Sequence, residues 1–118
     1  MRTVSWEQVN DWRLAQHFLL KRAKRNQMLD VVERVGALQA QVMSAAELQL
    51  WARVDGLKPS DVQDALWKKR SLVKAWVLRG TLHLVTAEDY PIYVEVLSSF
   101  LLKFYRRGSW LKYHQVTL

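Results

Sequence analysis

Apolar positions along the 118-residue chain follow a helical period first and a strand period later. Ser5 and Gln8 form a capping-box pair ahead of Trp6, Val9, Trp12 and Phe18, which predicts a first helix from about Trp6 to about Leu20. The basic run Lys21 to Arg25 closes it, at the end where cations suit the helix dipole. Asn26 fits the cap of a second helix striped by Met28, Val31, Val32, Val35 and Leu38. Ser44 and Glu47 repeat the capping box and open a third helix, with Leu48, Trp51 and Ala52 inward and Gly56 just past its end. Pro59 suits the first turn of a fourth, Ser60 to Arg70, with Val62, Ala65 and Leu66 on one side.

From Leu72 to Val85 the period shortens to two. Leu72, Trp76 and Leu78 share one parity, which Lys74 interrupts, and Arg79-Gly80-Thr81 supplies a turn before Leu82 to Val85 return as a second strand. Thr86 can cap a last helix, Ala87 to Arg107; Pro91 is too deep for a first-turn proline, so that helix starts irregularly or its body begins near Pro91. The fold class this predicts is mainly α with a small β-hairpin, a winged-helix domain of the helix-turn-helix type, occupying 1–86 and followed by a helix in 87–118. Trp6, Trp12, Trp51 and Trp76 fall on the apolar stripes and are expected in the core, whereas Trp110 and Tyr113 are expected to be the exposed aromatic pair.

Composition narrows the classes. Half the residues are apolar and six are Trp, which contradicts disorder, and one chain of this length is one domain. With no Cys, disulfides, thiolate zinc sites and cysteine nucleophiles are excluded. Val96 to Leu102, the longest apolar uncharged stretch, is far short of a membrane span, and the start MRTVSWEQVND lacks the apolar segment of a signal peptide. The expected setting is the cytoplasm. The net charge of +7 is not spread evenly: Arg13, Lys21, Arg22, Lys24 and Arg25 form one acid-free block, Lys68, Lys69, Arg70, Lys74 and Arg79 a second, and Lys103, Arg106, Arg107 and Lys112 a third. On one face these blocks would form a polyanion footprint; scattered, they are solvated charge.

Two segments carry candidate chemistry. Gln39-Ala40-Gln41 sets two amides around a small residue; in an extended conformation both face one side and can address one ligand or water, or else they cap neighbouring helices or face solvent. In the hairpin, Arg79, Thr81 and His83 crowd a tight turn. A wing tip of this kind can touch phosphate or enter a minor groove. The alternative pairs Arg79 with Glu88 or Asp89 and leaves His83 as a satisfied, partly buried histidine. His17, His83 and His114 have no metal-ligand spacing, and there is no phosphate-binding glycine loop and no GxSxG, so neither a metal nor a nucleotide cofactor is expected.

The joined pattern DWRLAQHFLL, VGALQAQ, AELQLWARV and DVQDALWKKRSLVKAWVLRGTLHLVTAEDY resembles the winged-helix DNA glycosylases of the AlkZ/YcaQ type, over nearly the whole chain from about Trp12. The resemblance implies a module of a larger enzyme whose tandem winged helices cradle double-stranded DNA and which hydrolyses the N-glycosidic bond of alkylated or crosslinked bases. It implies catalytic roles for Gln39 and Gln41, the family's glutamine-x-glutamine motif, and a signature at Arg79 to His83. With the charge blocks it points to Arg22, Lys24, Arg25, Lys68, Lys69, Arg70, Arg79, Thr81 and His83 as DNA-binding residues. It further implies a monofunctional enzyme without a lyase step, cofactor or metal, and suggests that the helix in 87–118 leads towards a next, absent winged-helix unit. The rival readings are a non-enzymatic winged-helix DNA-binding or regulatory protein, and a module that docks on a partner through its hairpin and last helix.

Overall fold

The computed structural model describes residues 3–106. Ser5 caps α1 (Trp6–Gln16): its hydroxyl accepts from the Gln8 backbone N–H and the Gln8 side chain accepts in return from the Ser5 N–H, as the sequence predicts. The helix stops at Gln16, short of Leu20, because Phe18 turns left-handed with φ 56°. A 3-10 turn at Arg25–Gln27 leads into α2 (Met28–Val35), whose Met28, Val31 and Val32 are buried. Gly36 ends α2 at φ 92°, a conformation that costs little only without a Cβ, and the chain enters the short strand β1 (Leu38–Gln39). Next come α3 (Met43–Trp51) and α4 (Pro59–Gln63), and α4 continues as a π-helical turn, Asp64–Lys68.

The hairpin closes the domain. β2 (Leu72–Val77) and β3 (Thr81–Thr86) pair antiparallel around a tight turn at Leu78–Gly80, in which Gly80 has φ 74°. β1 adds to the other side of β3, giving an antiparallel sheet of order β1-β3-β2. The last helix, α5, runs Tyr90–Arg106; Thr86 accepts from the Asp89 N–H at 3.1 Å ahead of it, and Pro91 falls in its first turn. Val31 and Val32 from α2, Leu38 from β1, Ala46 and Leu50 from α3, Val62 and Ala65 from the α4 segment and Leu72 and Leu84 from the sheet form one core cluster. Helix, strand, two helices and a wing around one core is the winged-helix fold. No helix among the described residues is long and apolar enough to cross a membrane.

Several expectations are corrected. Trp6, Trp12, Trp51 and Trp76 are not core residues; they are 79, 64, 56 and 62 % exposed. The reason differs along the chain. α1 buries none of its residues, so its apolar spacing adds no side chain to the core. Trp51 lies on the outer side of α3 and donates its indole N–H to the Leu57 carbonyl at 2.9 Å, and Leu48 is likewise exposed. In β2 Leu72 is buried while Lys74 and Trp76, on the same parity, stand clear, and Val77, on the opposite parity, is the buried residue nearer the tip. The third helix begins at Met43 with Val42 as its cap instead of Ser44, and the fourth breaks from α to π geometry after Gln63. Asn26 lies inside the 3-10 turn and Gln27 precedes α2. Trp110 and Tyr113 lie outside the described residues.

Candidate active site

The Gln39-Ala40-Gln41 segment is fixed by strand pairing. Leu38 and Gln39 stand opposite Leu84 and His83 in the antiparallel register, and the Ala40 N–H donates to the Leu82 carbonyl at 2.8 Å. A regular ladder would return the Leu82 N–H to the Ala40 carbonyl. Instead the strand bends, and the Leu82 N–H donates at 2.8 Å to Oε1 of Gln41. That donor identifies which end of the Gln41 amide is oxygen and leaves its NH2 group pointing away from the strand. Ala40 itself is fully buried, so the two amides are carried on a backbone that cannot shift without opening the core.

Gln39 takes the other role. Its backbone carbonyl accepts from Nε2 of Gln49 in α3 at 3.0 Å, which pins the strand edge from outside. Its side chain is exposed and lies on the same face of the sheet as its cross-strand partner His83 and, one strand further, Ala75. His83 is 7 % exposed, and its Nδ1 sits 2.8 Å from the Thr81 carbonyl. Only a donor satisfies a carbonyl, so Nδ1 carries a proton, and in the neutral ring Nε2 is the acceptor. The Thr81 hydroxyl donates to the Leu78 carbonyl at 3.2 Å, across the wing turn. The described structure therefore unites Gln39, Gln41, Thr81 and His83, residues 40 apart in sequence, at the β1–β3 junction. The hydrogen-bonded histidine of the second hairpin alternative is what is found.

The basic residues divide. Arg22 is spent on the fold: its guanidinium donates to the carbonyls of Trp51 and Val54 at the end of α3 and lies 3.6 Å from Asp55. Arg25 makes a two-pronged ion pair with Asp61, at 2.7 and 2.5 Å, which holds the Asp61 carboxyl down to about 2. Lys68 pairs with Asp64 at 2.8 Å, and this partner pushes its pKa up. Lys24 and Lys69 line one groove of about 610 Å³ that also holds the paired Arg25, Asp61 and Asp64, bringing parts of two basic blocks together with two acids between them. Arg70 is exposed, with φ 54°. Among the described residues Lys24, Lys69 and Arg70 form no ion pair. No group of three potential metal-ligating side chains occurs among the described residues.

One exposed residue escapes the sequence argument, which considered the tryptophans on stripes and Trp110 but not Trp67. Trp67 is 74 % exposed, and the signal that could have found it is its place at the head of the run Trp67-Lys68-Lys69-Arg70.

A winged helix with a buried wing histidine beside a glutamine pair defines the class, and comparison with known proteins fixes the family. Residues 32–109 match the family model described as DNA glycosylase AlkZ-like. An interstrand DNA cross-link repair glycosylase of Streptomyces sahachiroi is 36 % identical over 109 residues, covering 92 % of this chain and 27 % of that protein. The solved structure of Streptomyces sahachiroi DNA glycosylase AlkZ superposes with a TM-score of 0.81 at 34 % identity, over 98 % of this chain and 30 % of that one. The chain belongs to the AlkZ-like DNA glycosylase family. It spans less than a third of the length of these relatives.

Proposed function

We propose that this chain is the DNA-binding winged-helix module of a DNA glycosylase, and that it carries the residues that hydrolyse the N-glycosidic bond of alkylated bases, of the N7-alkylpurine or crosslinked type. The observation behind this reading is the gathering of Gln39, Gln41 and His83 at one strand junction in a chain of this family. An N7-alkylated purine is already cationic and leaves without a general acid. The remaining task is to hold water against an oxocarbenium-like C1′, which amides do through their dipoles, not through basicity. In this reading the Gln39 side chain orients the water and Gln41, held by Leu82, keeps the strand edge and its own NH2 in register. The water oxygen bonds to C1′ as the C1′–N9 electrons depart with the purine, and the spare proton passes to solvent. No covalent intermediate, lyase step, metal or cofactor is needed.

Lys24, Lys69 and Arg70, three of the cations without described ion pairs, supply phosphate contacts on duplex DNA, with Arg79 and Thr81 at the wing. Further winged-helix units would complete the cradle, and the site of action is the cytoplasm, on the nucleoid. The test is release of free base from duplex DNA bearing N7-methylguanine. Release that persists unchanged in both Gln39→Ala and Gln41→Ala overturns the site assignment. Duplex binding that does not weaken as salt is raised overturns the DNA-binding role and favours a partner-docking module.

A further inference from the structure

The turn that follows α4 combines three unusual features between Asp64 and Arg70. It is π-helical from Asp64 to Lys68, closed by a bond from the Lys69 N–H to the Asp64 carbonyl at 2.8 Å. Such turns are rare and are found disproportionately at functional sites. It ends with Arg70 in the left-handed conformation and with the Ser71 N–H donating to the Ala65 carbonyl at 2.8 Å, a termination that normally employs glycine. An arginine there accepts backbone strain that an unconstrained position would not keep. The third feature is Trp67 at the crest.

Trp67 does not wave free. Its indole N–H donates to Oε1 of Gln63 at 3.1 Å, and Nε2 of Gln63 donates to Glu47 of α3 at 2.9 Å. This relay anchors the ring by one edge, while 74 % of the residue remains open to solvent. The Glu47 carboxylate is engaged as an acceptor in the relay, and Lys69 and Arg70 follow the ring without ion pairs among the described residues. An anchored, exposed aromatic ring followed in the chain by two cations without ion pairs among the described residues matches an unstacked nucleobase with nearby phosphates, because every base offers a π-face and every nucleotide a charge.

We infer that Trp67 is a stacking platform for an unpaired base of the bound nucleic acid, with Lys69 and Arg70 gripping the adjoining phosphates. This rests on the DNA-binding reading above and adds to it a contact outside the glutamine–histidine cluster. The experiment compares two fluorescein-labelled probes by anisotropy: a fully paired duplex, and the same duplex with one bulged thymidine. Trp67→Ala is expected to weaken binding of the bulged duplex about ten-fold, in the range of base–aromatic stacking, while changing the paired duplex less than two-fold. The salt slope should stay unchanged, since no phosphate contact is removed. Trp67→Phe should restore most of the lost affinity. An unaltered affinity for the bulged duplex, an equal loss on both probes, or no rescue by Phe overturns the stacking role while leaving the DNA-binding reading in place. A wild-type chain that binds neither probe overturns both. Melting of each variant by circular dichroism verifies that the exposed substitution leaves the fold intact.

Discussion

Gln39 stands directly opposite His83 across the β1–β3 ladder, while Gln41, two residues on, has left that ladder and caps it with its side chain. The two glutamines of one motif therefore do different physical work. Gln41 replaces a missing backbone acceptor, and Gln39 presents an amide beside an imidazole whose proton is fixed on Nδ1 by the Thr81 carbonyl.

This division predicts opposite stability phenotypes. Gln41→Ala leaves the Leu82 N–H without its acceptor and should cost about 1 kcal/mol, lowering Tm by roughly 3–6 °C. Gln39→Ala removes an exposed side chain whose backbone carbonyl still receives Gln49, and should move Tm by less than about 1 °C. Thermal melts of the two variants side by side check this, and equal shifts would contradict it.

The activity phenotypes should not follow stability. Gln39→Ala is expected to reduce release of N7-methylguanine on the order of 100-fold, the scale of losing a group that orients a reactant or developing charge. Gln39→Glu, nearly isosteric but anionic, should fail to restore the rate if a neutral amide dipole orients the water. Single-turnover release rates make the comparison. Full activity in Gln39→Ala would remove this residue from the mechanism.

Charge pairing in the folded state sorts the basic residues that the sequence groups together. Lys69→Ala removes a cation that is not ion-paired among the described residues, and should lower the slope of log affinity against log salt by about 1. Arg22→Ala instead strips the end of α3 of donors to Trp51 and Val54, and should lower Tm with little change in that slope. Salt titrations of duplex binding alongside thermal melts separate the two roles.

Much of this was legible in the residues. The cap at Ser5, the proline at the start of α4 and the glycine turn at Gly80 are local rules, and all appear where the sequence places them, whereas the second helix stops at Gly36 and leaves Leu38, expected on its stripe, to β1. The tryptophans were misread because periodicity reports which residues share a face, not whether anything covers it; Trp6 and Trp12 lie on a helix that buries none of its residues. The meeting of Gln39 with His83 depends on a strand register 44 residues apart in sequence, and the bend that frees Leu82 for Gln41 has no sequence signal. Nor could composition reveal that Arg22 and Arg25 serve the fold, since their partners lie on distant segments.

The Arg25–Asp61 pair gives the fold a defined acid limit. Asp61 accepts both prongs of the guanidinium and also the Lys58 N–H at 2.9 Å, and the Arg25 bonds are the main reason its carboxyl drops from 3.8 to about 2. A carboxyl whose folded value is depressed stabilises the protein fully above its unfolded value and loses that contribution as pH falls through the folded one. The window is thus from about pH 5 down to about pH 2. Asp61→Asn keeps an oxygen for the Lys58 N–H but removes the charge, so it isolates the ion pair. Because 48 % of the Arg25 side chain is exposed, the expected Tm deficit is modest, roughly 2–4 °C between pH 6 and 8. It should shrink steadily below pH 5 and vanish below about pH 2, where wild-type Asp61 is itself mostly protonated. A deficit that persists undiminished at pH 2 would assign the effect to packing or capping, and no deficit at neutral pH would mean that solvent screening cancels the pair.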